Sequence, residues 1–167
     1  MNRPDLRPNA SDTNERFRDA FSVVEQFVVL KYKVRVLTTD VPGAFTGDID
    51  GESILIDRSL NAEEALFVLV HLFGHTVQWN VSPRDRELGL LRLQPALRPT
   101  EDLLVALADY ERVAARYSQQ LLIDCGVHGL DKWLAEYSSW TWSICSTTIA
   151  LRRSERSANS GRQVCRR

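Results

Sequence analysis

The segment Leu66–Asn80, L-F-V-L-V-H-L-F-G-H-T-V-Q-W-N, sets two histidines four residues apart in a strongly apolar run. The run is apolar throughout and reads as a helix, and on a helix positions i and i+4 share one face. His71 and His75 can therefore present their imidazoles to one ion, which is why H-x-x-x-H recurs in zinc sites. Spacing alone also suits two packed, hydrogen-bonded core histidines. Gly74 leaves room on the same crowded face, either for the site or for close packing of another helix.

Working outward, Asn61 is placed to cap this helix, and Glu63 and Glu64 fall in its first turn, where carboxylates favour the positive end of the helix dipole. The helix is expected to end near Trp79. Upstream, Phe17, Phe21, Val24, Phe27 and Val28 recur at helical spacing and predict a first helix over about 12–31. The run Y-K-V-R-V-L-T-T reads as a strand. The stretch A-F-T-G-D-I-D-G-E-S-I-L-I-D then reads as a hairpin turning at Asp50 and Gly51. These runs predict a small antiparallel sheet of three strands. Downstream, residues 81–100 contain three prolines and read as a connecting excursion, with room for one short helical turn. Thr100, followed by Glu101 and Asp102, opens another helix whose apolar positions include Leu103, Leu104, Leu107 and Val113, reaching to about Asp124. The order α, β, β, β, α, α predicts one α+β domain over 12–139, between a flexible polar arm, 1–11, and a basic tail, 140–167.

Composition bounds the function. The chain has 167 residues and a formal net charge of −1, which suits a single core. The balance is uneven: residues 1–139 hold 15 Lys+Arg against 21 Asp+Glu, whereas 140–167 holds six Arg against Glu155 alone. An acidic body argues against a nucleic-acid surface on the folded part. The tail reads as disorder or as a frame lost near Ser138, ahead of a basic arm that docks on nucleic acid or an acidic partner. No apolar run of about 18 residues suggests a membrane span, and the first residues lack a secretory pattern. Cys125, Cys145 and Cys165 form no C-x-x-C pair, so free thiols in a cytoplasmic protein are expected.

A tetrahedral zinc site needs a third protein ligand, either a carboxylate or His128. The run E-E-A-L-F-V-L-V-H-L-F-G-H-T-V-Q, followed by Y-E-R-V-A-A-R-Y-S-Q-Q-L-L, resembles the ImmA/IrrE family of zinc metallopeptidases over roughly residues 12–125. That family carries H-E-x-x-H on one helix and E-x-x-A-(N)-x-(F)-A-x-x-L-L on a second. Glu111 matches the leading glutamate, Ala114 the alanine, Tyr117 the aromatic position, and Leu121 and Leu122 the closing leucines. The resemblance implies a minimal zincin-like fold with zinc held by His71, His75 and Glu111.

It also exposes a departure, because the family's general base would follow the first histidine, and Leu72 stands there. Leucine cannot take a proton from a zinc-bound water, and loss of such a base costs about a hundredfold to ten-thousandfold in rate. Glu64, Asp102 and Asp109 are the substitutes to weigh, with His128 a candidate fourth ligand or proton carrier. Glu64 is about two turns, some 10 Å, from His71, and Asp109 faces away from Glu111. Gln78 and Trp79 either line a cleft or, for Trp79, pack under the following segment. The resulting expectation is a metal-binding domain impaired in catalysis that serves as a regulatory or binding module for a peptide or protein. The alternatives are an active peptidase with an unusual base and a metal-free structural domain.

Overall fold

A computed structural model describes residues 10–42, 45–92 and 100–138. Helix α1 (Ala10–Phe27) continues into a π-helical turn, Val28–Tyr32, and stops where Lys33 takes up a left-handed backbone conformation at φ 60°. Three strands follow, β1 (Arg35–Thr39), β2 (Gly47–Ile49) and β3 (Ser53–Asp57). Helices α2 (Ala62–Val81), α3 (Pro83–Arg92) and α4 (Glu101–Asp124) come next, and a last helical run, α5, covers 131–138.

The molecule is built around α2. Leu66 to Val70 are all buried, as are Phe73 through Thr76 and Gln78, the pattern of a helix enclosed on most sides. Helix α1 covers one flank with Phe17, Ala20, Val24 and, from the π turn, Val28. The sheet covers another through Ile54 and Ile56, which alternate inward from β3. Helix α4 covers a third, burying Leu107, Tyr110, Ala114, Ser118, Leu121 and Leu122 at three- and four-residue spacing. Leu130 and Leu134 close the core beside Phe67.

Both long helices begin as the sequence predicts. The Asn61 side chain accepts from Glu64 N at 3.0 Å while the Glu64 carboxylate accepts from Asn61 N at 3.2 Å, a complete capping box. Thr100 Oγ1 accepts from Leu103 N at 3.2 Å. Each cap fixes the axial position of the side chains that follow it.

The α+β class holds, but the sheet is mixed rather than antiparallel. The β2–β3 hairpin is antiparallel, pairing Ile49 with Ile54, and turns through Gly51 at φ 97°. Strand β1, however, pairs parallel with β3, Arg35 opposite Ser53 and Thr39 opposite Asp57, giving the order β1-β3-β2. The most apolar strand thereby takes the centre. Residues 40–52 supply the dozen or so that a parallel crossover needs.

One further expectation is corrected. Residues 83–92 form a helix of 10 residues, not a short turn. Pro83 starts it, because the first helical position needs no N–H donor, and Ser82 Oγ accepts from Asp85 N at 3.2 Å. Helix α1 already includes Ala10 and Ser11, two residues ahead of the expected start. The rest of the arm and the tail from Ser139, with Cys145 and Cys165, lie outside the described residues. No helix among the described residues is long and apolar enough to cross a membrane.

Candidate metal centre

The site forms where α2 and α4 cross, and Gly74 sets how closely they approach. A Cβ on Gly74 would lie 2.3 Å from the Ala114 carbonyl oxygen and 2.7 Å from Ser118 Oγ. Only a hydrogen fits there. Ser118 Oγ donates toward Val70 O at 2.9 Å and toward Ala114 O at 3.0 Å, fastening the crossing next to the glycine. Glu111, one turn before Ala114, is thereby carried to the two histidines.

His71, His75 and Glu111 form one cluster, with a ligand atom from each lying within 4.8 Å of the others. Glu111 Oε2 is 3.4 Å from His75 Nε2 and 3.7 Å from His71 Nε2. The side chains are 5% exposed at His75, 12% at Glu111 and 14% at His71, so the cluster lies just beneath the surface. His71 stacks on Phe67, and its ring meets that of His75 edge to face at 4.6 Å. Tyr110 stacks on the His75 ring, also at 4.6 Å.

Two features test whether these residues fit a cation. First, His75 Nε2 is buried and makes no hydrogen bond. Such an atom costs about 1–3 kcal/mol unless something engages its lone pair or proton. Second, a charge-assisted N–H to carboxylate bond closes to about 2.7–2.9 Å, whereas ligands about 2.1 Å from a tetrahedral zinc lie about 3.4 Å apart. Both observed distances, 3.4 and 3.7 Å, are longer than a closed ion pair, and the shorter equals the second spacing. The donor set of two imidazoles and a carboxylate suits zinc, and the geometry is compatible with a bound ion.

Other residues weighed from the sequence lie elsewhere. His128 is exposed and outside the cluster, and its carbonyl oxygen accepts from the Arg16 guanidinium at 3.4 Å. Glu64 is committed to the capping box. Asp109 pairs with Arg112, and Asp102 is exposed in the first turn of α4. Leu72 is half-buried against the edge of the sheet. A Cβ on Gly47 of β2 would lie 2.7 Å from Leu72 Cδ1 and 2.6 Å from Val68 Cγ1. Apolar carbon thus fills the space between α2 and β2 where a base following His71 would stand.

Gln78 and Trp79 support the site instead of lining a cleft. Gln78 is fully buried, with Oε1 2.9 Å from His75 Nδ1 and Nε2 donating to Tyr110 O at 2.8 Å. Trp79 packs against Gly89 of α3, as the packing alternative required, and its Nε1 donates to the Tyr110 hydroxyl at 2.8 Å. Neither Tyr110 nor Ser118 stands out in the sequence. The available signal was position, since each lies on the apolar stripe of α4 yet carries a polar atom. Comparison with family models, curated proteins and solved structures finds no match to this chain.

Proposed function

We propose that this chain is a zinc-binding, zincin-like domain of the ImmA/IrrE kind that has lost its general base and works as a regulatory or binding module for a peptide or protein. The observation that carries this reading is the buried, hydrogen-bond-free Nε2 of His75 facing the Glu111 carboxylate of a second helix at 3.4 Å. His71, His75 and Glu111 would hold the metal. When bound, zinc supplies Lewis-acid polarisation of a carbonyl or of water. A cytoplasmic setting belongs to the same reading and suits Cys125 as a free thiol.

What surrounds the cluster supports the loss of peptidase chemistry. Leu72 packs on β2 and has no atom that accepts a proton. Glu64 and Asp109 are engaged elsewhere, so neither replaces the missing carboxylate at hydrogen-bond reach. Glu111 would serve as a ligand and is not free to be the base as well.

Hydrolysis of a mixed peptide library by the zinc-loaded chain tests this. Wild type is expected to give no cleavage above its zinc-free control. Leu72→Glu, once shown to be folded and zinc-loaded, is expected to gain detectable cleavage, since its carboxylate restores the absent proton acceptor. Robust zinc-dependent cleavage by wild type, abolished by His71→Ala, would overturn the impaired-site reading and favour an active peptidase.

A further inference from the structure

We infer that Gln78 is the positioning residue of the metal centre: its buried amide fixes His75 in the tautomer that leaves Nε2 unprotonated toward Glu111. This rests on the reading of the cluster as a metal site, but it concerns a residue outside the ligand set.

The inference follows from what each end of the amide can do. Gln78 Nε2 lies 2.8 Å from the Tyr110 carbonyl oxygen, which can only accept, so the NH2 end must face that way. Oxygen Oε1 then faces His75 Nδ1 at 2.9 Å and can itself only accept. Nδ1 must therefore carry the hydrogen. A neutral imidazole has just one, so Nε2 is left with its lone pair, the form in which a histidine binds a metal.

The same amide couples the two helices. It reaches from α2, one turn beyond His75, to the backbone of Tyr110, the residue before Glu111. One fully buried side chain thus sets the tautomer of one ligand and the placement of the turn that carries another. Complete burial shields both hydrogen bonds from competition with water.

Two measurements on the full chain decide the matter. In metal-free, folded wild type, long-range 15N NMR of labelled histidine is expected to find His75 protonated at Nδ1, with Gln78→Leu shifting it toward the Nε2-protonated form that predominates in water. A wild-type His75 protonated at Nε2 overturns the inference. Zinc affinity, measured by chelator competition, is expected to fall about 10–100-fold in Gln78→Leu. Gln78→Glu should retain more of it, because a carboxylate still accepts from Nδ1–H. A role in packing alone gives the reverse order, since a carboxylate is harder to bury than an alkyl chain.

Should Gln78→Glu fail to fold, the wild-type tautomer decides. Wild type and Gln78→Leu binding zinc equally well overturns the role of Gln78 and leaves the metal centre standing. A folded wild type that takes up no zinc removes the centre and this inference with it.

Discussion

Gly74 occupies a position where two ordinary effects oppose each other. Inside a helix, Gly→Ala normally gains about 1 kcal/mol. Here the added Cβ would meet the Ala114 carbonyl oxygen at 2.3 Å, and backbone cannot move aside as a flexible side chain can. Gly74→Ala is therefore expected to destabilise the chain by roughly 1–3 kcal/mol, the range for overpacking a close-fitted core. It should also weaken zinc uptake by moving α4 and Glu111 away from the histidines. Urea denaturation beside a zinc titration checks both. A stabilised variant with unchanged zinc binding would show that the crossing is looser than described. At this scale the cluster was legible in the sequence, because helical periodicity alone puts His71 and His75 on one face, and Glu111 stood in a motif-like run on the next long helix. The partners of Gln78 were not legible. Its amide is oriented by a carbonyl 32 residues away, and no local pattern encodes that distance.

At the scale of elements, the helices were more readable than the sheet. Capping residues and apolar spacing are local signals, and they placed the starts of α2 and α4 correctly. Strand direction has no such signal. A short strand reads the same whether it runs parallel or antiparallel to its neighbour, so the pairing of β1 with β3 depends on which strand becomes central. Prolines also mislead, since Pro83 opens a helix where proline-rich composition suggested only a connection.

The ends of the sheet are tied by carboxylates, and this gives a pH dependence. Asp57 is held below the usual carboxylate range first by the Ser59 hydroxyl, then by the Ser59 and Val41 backbone N–H groups. Asp50 is lowered by the backbone N–H groups of Glu52 and then Ser53 in the hairpin turn. Because both folded-state values lie below the ordinary 3.8, their stabilisation is fully present above that pH. It is lost as pH falls through the lowered values. Amide exchange at Val41 and Ser53 is thus expected to stay protected down to about pH 4 and to accelerate below it, after correction for intrinsic rates. Asp57→Asn should remove the pH-dependent part at Val41. Loss of protection well above pH 4 would mean that other groups hold this edge.

Across the whole molecule, one helix serves both the core and the site. The apolar side chains of α2 are enclosed by α1, the sheet, α4 and α5, while its polar residues His71, His75 and Gln78 meet α4 at a single crossing. The same packing that stabilises the fold brings the cluster together, so little reorganisation is required for an ion to bind. That economy makes the cluster testable without knowing any partner. Zinc content of the purified, reconstituted full chain, measured by elemental mass spectrometry after removal of loosely held metal, is the direct test. Wild type is expected to hold about one zinc per chain, Asp109→Ala to match it, and Glu111→Ala and the His71→Ala/His75→Ala double variant to lose it. A folded wild type with zinc near zero, or equal retention by Glu111→Ala and Asp109→Ala, would contradict a centre built from His71, His75 and Glu111.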